Sequence, residues 1–260
     1  MHRLISCIFI ILTASLCGAE ADFYDAMQEA YASYTEGEKT ETISQRKQMF
    51  NHALALYTQL ADKSPKYGDG KLYYDIANTY FQLEEYPWAI LYYYRSLALR
   101  PTDDKVKQNL AMGLKKLDIT PEPEGSFFQS LVFWHHSLSL PERLQALFIL
   151  GVFLLATVSA YIWRREHWMI YLIIGLLVCW TALLLSVGYT RYFSSVEGVL
   201  IHSTALYKDA GEQYAKVGDE PILKGVKVRV LDVLHQGKWL KVYTPSGEIG
   251  YLPHTTIRVI

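Results

Sequence analysis

Cysteine is scarce in this 260-residue chain, and its three cysteines all lie in strongly apolar segments. Cys7 and Cys17 fall near the N-terminus, and Cys179 lies inside a long apolar run. The polar parts of the chain have no cysteine, which excludes a disulfide scaffold and a thiolate metal site. The formal net charge is −1 and no basic patch is present, so we predict no nucleic-acid partner.

The sequence motifs of common catalytic sites are also missing. The chain contains no GxSxG, HExxH, P-loop or GxGxxG pattern. His135 and His136 are adjacent, and neighbouring residues on a helix point about 100° apart, so this pair does not easily share a metal ion. We therefore predict that the protein is not an enzyme, and we predict no catalytic residue, no metal site and no cofactor.

Charged residues are absent from two long apolar runs, at residues 144–163 and 168–187. Each run has about 20 residues, which at about 1.5 Å of rise per residue spans about 30 Å, the thickness of a bilayer's hydrocarbon core. A helix satisfies its own backbone hydrogen bonds in lipid, whereas an open sheet does not. We predict a two-helix transmembrane hairpin over residues 144–187, with a turn at 164–167. The alternative is a hairpin buried in a soluble core.

The first 21 residues have the pattern of a secretory signal peptide. Arg3 precedes an apolar run at residues 4–16, and small residues follow at Ala19 and Ala21. The run is short for a membrane span, and an uncleaved anchor is the alternative interpretation. A signal peptide predicts export of the region that follows it.

The arginines around the hairpin predict a membrane topology that agrees with this export. Arg164 and Arg165 lie in its short loop, while each outer flank carries one arginine, Arg143 or Arg191. The positive-inside rule places the loop in the cytoplasm. We predict two membrane spans with both soluble domains on the extracytoplasmic side, which in a bacterium is the periplasmic side of the inner (cytoplasmic) membrane.

Apolar residues recur at helical spacing between residues 22 and 117, with glycine and proline at the turns. The clearest unit covers residues 73–101. Its aromatic, small and closing-proline positions resemble a tetratricopeptide repeat; they include Tyr73, Ala77, Tyr80, Ala89 and Pro101. The resemblance implies two antiparallel helices that touch at the two alanines. A less regular unit is predicted upstream, with a first helix at 22–34 and a long loop at 35–42.

Repeats of this kind imply a concave groove lined by their first helices. The residues predicted to face the groove and bind a peptide are Tyr74, Asn78, Phe81 and Asn109. Asparagine amides can hold a peptide backbone, and aromatic rings supply apolar area. Tyr74 stands where repeat proteins that clamp a C-terminal carboxylate have lysine, so we do not expect a carboxylate ligand.

In the last segment, residues 197–260, apolar residues no longer recur at helical spacing but alternate with polar ones, as in a β-strand. Valines at 226, 228 and 230 alternate with charged residues, and turns at 236–237 and 245–247 separate further short strands. This pattern implies a small all-β barrel. The sequences Ala205-Leu206-Tyr207, Gly237 before Trp239, and Gly250-Tyr251-Leu252-Pro253 resemble bacterial SH3 domains. The implied binding surface consists of Tyr207, Trp239, Tyr251 and Pro253.

The predicted fold class is a multidomain membrane protein with α-helical tetratricopeptide repeats, a two-helix transmembrane hairpin and a small all-β SH3-like barrel. Its segments are a signal peptide (1–21), a repeat domain (22–117), a linker and interfacial segment (118–143), the hairpin (144–187), a juxtamembrane linker (188–196) and the SH3-like domain (197–260). This order resembles the BatE-type bacterial aerotolerance proteins. The resemblance implies a membrane-associated assembly with partners that carry von Willebrand factor A domains.

These features together predict a non-enzymatic, membrane-anchored scaffold for protein–protein interactions in the bacterial cell envelope, in an aerotolerance-type complex. Its expected partners are other membrane or periplasmic proteins and membrane lipid. Two alternatives remain open, a module that binds peptidoglycan through its SH3-like domain and an accessory subunit of an envelope enzyme. Co-purified proteins would favour the scaffold, and a bound muropeptide would favour the wall binder.

Overall fold

The structure is a computed structural model that describes residues 23–63, 69–120, 137–193 and 195–260. These residues form seven α-helices and five β-strands. The predicted signal peptide lies outside the described residues, as do His135, His136 and most of the segment predicted as an interfacial linker.

Five helices make up the N-terminal region. They are α1 (residues 23–39), α2 (Ile43–Lys63), α3 (Gly70–Gln82), α4 (Tyr86–Leu99) and α5 (Asp104–Lys116). Asp69 Oδ1 accepts a hydrogen bond from Leu72 N at 2.7 Å at the start of α3. Pro87 lies in the first turn of α4. Backbone N–H groups in the first turn have no acceptor within the helix, so proline, which lacks an N–H, loses no hydrogen bond there. Local capping thus sets the boundaries of the helix pair that the repeat pattern predicted.

Small side chains hold α3 and α4 together. Ala77 of α3 and Ala89 of α4 are both completely buried in one core cluster, as the pattern predicted. At the other end of the pair, Ser96 Oγ donates to Gly70 O at 2.6 Å. The two helices therefore contact each other along most of their length.

The predicted loop at residues 35–42 is wrong, because α1 continues to residue 39 and only residues 40–42 separate it from α2. Gly37 favoured a loop in the sequence. In the structure it lies inside the helix, where a Cβ atom would come within 2.9 Å of Phe50 Cε1 on α2. The glycine thus serves close packing between two helices, which a local sequence pattern does not reveal.

The apolar hairpin consists of α6 (Leu140–Arg164) and α7 (His167–Phe193). Residues 188–193, predicted as linker, instead continue α7. Arg143 of α6 explains this, because its guanidinium donates to Ser186 Oγ at 3.0 Å and Thr190 Oγ1 at 2.9 Å and so holds the end of α7 against α6.

Both hairpin helices are long and apolar enough to cross a membrane. Within the described chain, no residue in the most apolar 18-residue window of α6 is buried, and very little of the corresponding window in α7 is buried. Large apolar side chains such as Phe148, Leu155, Tyr171 and Leu185 are mostly exposed. The hairpin therefore presents an apolar surface to its surroundings.

The C-terminal region forms one antiparallel sheet. Its strands are β1 (Val196–Leu200), β2 (Lys227–Leu234), β3 (Trp239–Tyr243), β4 (Ile249–Pro253) and β5 (Ile257–Val259), in the spatial order β4-β3-β2-β1-β5. The last four strands lie where the sequence pattern predicted them. β1 was missed, since it is short and contains Gly198.

The sheet does not close into the predicted barrel. β4 and β5 form its two edges. A closed barrel would need β4 and β5 to pair with each other, directly or through a further strand. Residues 201–226 contribute only isolated bridges, such as Thr204 with Ile222 and Tyr207 with Tyr251. The segment contains several glycines and a proline and lacks alternating apolar residues, so it does not sustain a ladder of hydrogen bonds.

β1 joins the sheet to the repeat helices. Successive side chains of a strand point to opposite faces. Val199 and Ile201 pack into the core cluster that contains α4 and α5 residues, whereas Leu200 between them packs into the sheet's own core. Arg95 Nη2 of α4 also donates to Val259 O of β5 at 2.7 Å. The two regions thus share a continuous core, which we call the seam.

Candidate functional site

The four residues predicted to bind a peptide lie together. Tyr74, Asn78 and Phe81 are spaced four and three residues apart on α3 and therefore share one face of that helix. Asn109 comes from α5, and its Nδ2 donates to Tyr74 OH at 3.1 Å and to Asn78 Oδ1 at 2.9 Å. All four line one cavity of about 430 Å³ among helices α1 to α5, the groove.

The two groove asparagines satisfy only part of each other's hydrogen-bonding capacity. Asn78 Oδ1 accepts from Asn109 Nδ2 and also from Tyr93 OH, the latter at 2.8 Å. Asn109 uses its amide donor for Tyr74 and Asn78. Among the described residues, neither Asn78 Nδ2 nor Asn109 Oδ1 makes a hydrogen bond. One donor group and one acceptor therefore remain in the groove, which matches what a peptide backbone offers.

Five tyrosine rings line the groove. They come from four helices, as Tyr31, Tyr34, Tyr57, Tyr74 and Tyr93. Burial raises the pKa of Tyr34 to about 12 and also raises the pKa of Tyr57 and of Tyr93. These phenols therefore stay neutral at physiological pH. These tyrosine side chains offer apolar area and hydroxyl groups and carry no negative charge.

Asp75 introduces a carboxylate into this aromatic wall. It lines the groove and also an adjoining cavity of about 610 Å³, and Tyr31 and Tyr57 line both cavities with it. Its side chain makes no hydrogen bond or ion pair with the other described residues. Burial raises the pKa of Asp75 to about 6, and the positive charge of Lys71, one helical turn earlier, offsets only part of that effect.

Sequence reasoning missed the part of the groove that comes from α1 and α2. The repeat pattern assigned groove positions on α3 and α5 alone, although Tyr31 and Tyr34 lie within the predicted first helix; Glu38 comes from the part of α1 that extends beyond the prediction. Tyr31, Tyr34 and Glu38 are spaced three and four residues apart, which is a detectable one-face signal. Asp75 carried no comparable signal, because its effect depends on tyrosines that come from other helices.

The four residues predicted as a surface on the C-terminal sheet are also brought together. Tyr207 and Tyr251 exchange backbone hydrogen bonds of 2.9 and 2.8 Å. The rings of Tyr207 and Trp239 meet edge to face, with their centroids 5.6 Å apart. Trp239 pairs with Pro253 across β3 and β4. The four side chains are half-buried and form a small aromatic platform.

Metal-binding side chains are dispersed. Across residues 23–63, 69–120, 137–193 and 195–260, no group of three or more His, Cys, Asp or Glu side chains is placed to hold a metal ion. Cys179, the cysteine in this part of the chain, lies exposed on α7. The clustered polar groups of the groove are suited to recognising another molecule by hydrogen bonds and packing.

Comparison with known families identifies one part of the chain. The family model of the tetratricopeptide repeat matches residues 70–103, which cover α3, α4 and the turn that follows. No curated protein matches the sequence. The chain therefore contains a tetratricopeptide repeat. Stacked repeats of this class build extended concave binding surfaces, and the repeat therefore suggests a scaffold for protein–protein interaction.

Proposed function

We propose that the protein is a non-enzymatic scaffold of the bacterial cell envelope, anchored in the inner membrane, whose groove binds a segment of a partner protein. The strongest support is the groove itself. The rings of Tyr74 and Phe81 offer apolar area next to the unused donor of Asn78 and the unused acceptor of Asn109. A peptide there would bury side chains and pair its backbone, the two requirements of peptide recognition.

The exposed hairpin supports membrane anchoring. Residues 144–163 and 168–187 contain no Asp, Glu, Lys or Arg, and their large apolar side chains face outward. Exposed apolar area costs about 25 cal/mol per Å² in water, and lipid removes this cost. Arg143 lies near the end of the pair and is bound by hydroxyl groups of α7, as expected for a charge at the membrane boundary.

The seam supports the proposed topology. The repeat helices precede the hairpin and the sheet follows it, yet Ile201 of the sheet region packs in one core with α4 and α5. Two regions that share a core lie on the same side of a membrane, so the chain between them crosses it an even number of times. The short loop with Arg164 and Arg165 would then be cytoplasmic, and both folded regions periplasmic.

A cysteine placed at Ser246 tests this topology. In a chain whose native cysteines are replaced by alanine, Ser246→Cys is expected to react with a membrane-impermeant maleimide in intact spheroplasts, since residue 246 is exposed on the proposed periplasmic side. Glu166→Cys in the short loop is the matched control and should react only after lysis. The reverse pattern, or labelling of both positions in intact spheroplasts, would rule out the topology.

Replacement of the groove aromatics tests the scaffold. The double substitution Tyr74→Ala, Phe81→Ala is expected to abolish binding of partner proteins to the groove. Removing one aromatic anchor commonly costs about 2 kcal/mol or more of binding free energy, roughly a thirtyfold loss of affinity. The measurement is crosslinking in intact cells followed by mass spectrometry of the attached proteins. The control is Tyr214→Ala with Tyr243→Ala, two exposed tyrosines of the C-terminal region.

The aromatic platform supports a second candidate function, binding of peptidoglycan through an SH3-like module. Trp239 and Tyr207 are placed to stack on a wall polymer. This function predicts that wild-type protein sediments with purified sacculi, that Trp239→Ala abolishes sedimentation and that the groove variant keeps it. If the groove variant also retains all crosslinked partners, the scaffold proposal is wrong.

The module order further supports a particular class of partner. A repeat region, an apolar hairpin and a small β module follow one another as in BatE-type aerotolerance proteins. Membrane proteins with von Willebrand factor A domains are therefore the first candidates to look for among the crosslinked proteins.

A further inference from the structure

We propose that the groove accepts a lysine or arginine side chain of the partner, whose cationic group lies against the Asp75 carboxylate among the rings of Tyr31, Tyr34, Tyr57 and Tyr74. This inference rests on the proposed function of the groove as a protein-binding site and adds the chemistry of the ligand. It follows from the charge, shape and surroundings of the two cavities that meet at Asp75.

The charge of the groove is one-sided. Its lining contains the carboxylates of Asp75 and Glu38 and no lysine or arginine. The cations nearest to Asp75 do not neutralise it. Arg100 is paired with Asp103 at 2.7 Å, and Lys71 is exposed at the edge of the adjoining cavity. A ligand that fills the groove therefore meets negative charge that the described residues do not neutralise.

The aromatic surroundings favour the same ligand. Tyrosine faces attract a cation through their ring quadrupole, and arginine and lysine also pack their apolar stems along such rings. Tyr57 is almost completely buried at the base of both cavities, and Tyr31 forms an exposed rim that both share. A long side chain with a charged end fits this combination of an apolar wall and a carboxylate. A carboxylate ligand would meet repulsion from Asp75 and Glu38.

The titration of Asp75 supports this assignment and sets the direction of the pH effect. Its pKa lies near 6 because burial disfavours the charged form; Asp69 raises it further, whereas Lys71 and Arg100 lower it. The neighbouring phenols of Tyr34 and Tyr57 stay neutral across this range. A bound cation would favour the carboxylate and lower the pKa. Binding is therefore expected to be strong above about pH 6 and to weaken as the pH falls below it.

The test uses the full chain in detergent micelles and four pools of acetylated, amidated heptapeptides. Each pool is random except for a fixed central residue, which is Lys, Arg, Gln or Glu. The wild-type protein is expected to retain the Lys and Arg pools at least about tenfold better than the Gln and Glu pools. Asp75→Asn should abolish this preference and its dependence on pH between 5 and 7, while weak retention of all pools persists. Asp104→Asn, at an exposed carboxylate of α5, should change nothing.

The outcomes separate this inference from the proposed function. Equal retention of all four pools by the wild type, lost in the Tyr74→Ala, Phe81→Ala variant, would leave a peptide-binding groove and overturn the cationic ligand. A preference for Lys and Arg that survives in Asp75→Asn would also overturn it. No retention of any pool by the wild type would overturn both proposals. Unchanged circular dichroism of Asp75→Asn shows that a lost preference does not reflect unfolding.

Discussion

Replacement of Ile201 by aspartate is expected to destabilise the repeat helices and the sheet together. Ile201 is 4% exposed and packs in one cluster with Ile90, Leu91, Val106 and Leu114 of the helices. The change removes a buried isoleucine and introduces a charge that lacks a partner in an apolar cluster. The loss of side-chain burial and the desolvation of the carboxylate together amount to about 4 kcal/mol or more.

The measurement is thermal unfolding of the full chain in detergent micelles, and a loss of this size lowers the midpoint by about 10 °C or more. Ile249→Asp is the matched control, because Ile249 is half exposed on the edge strand β4 and should tolerate the charge. Hydrogen exchange then identifies the affected elements. Faster exchange in β1 and β2 with no change in α4 would contradict a shared core.

Gly225→Ala is expected to weaken the seam through sterics alone. Gly225 has a φ of 90°, which alanine adopts with strain, and a Cβ atom there would lie 2.5 Å from Leu117 Cδ1 and 3.0 Å from Ile119 Cδ1. The backbone strain costs about 1–3 kcal/mol. Overpacking against the helical region adds about 1–3 kcal/mol, because Leu117 would have to leave its present position.

A second glycine, in the turn between β2 and β3, separates these two effects. Gly237 has a φ of 89° but nothing within 4 Å of its Cβ position, so Gly237→Ala incurs the same backbone strain without the collision. The midpoint of thermal unfolding in detergent should therefore fall more for Gly225→Ala than for Gly237→Ala. Equal shifts for the two variants would mean that Gly225 does not contact the helices.

The elements that sequence analysis predicted well are those encoded by local spacing. The α3–α4 pair follows from alanine, aromatic and proline positions within one repeat, and α6 and α7 follow from two apolar runs. The groove residues of α3 could be predicted for the same reason, since Tyr74, Asn78 and Phe81 share a face of one helix. In contrast, Gly37 and residues 188–193 were misassigned, because each is held in a helix by a contact with another helix.

Apart from β1 and the C-terminal ends of α1 and α7, the sequence by itself determined which segments are helices, which are strands and which are apolar enough to span a membrane. These properties depend on periods of two to four residues and on the length of a run. Only the tertiary structure decided that the sheet stays open, that α4 and β1 share a core and that Asp75 is surrounded by tyrosines. Each of these depends on contacts between distant parts of the chain, such as that between Arg95 and Val259. Such contacts arise when faces with no local partner pack together, and local sequence patterns do not reveal which faces will meet.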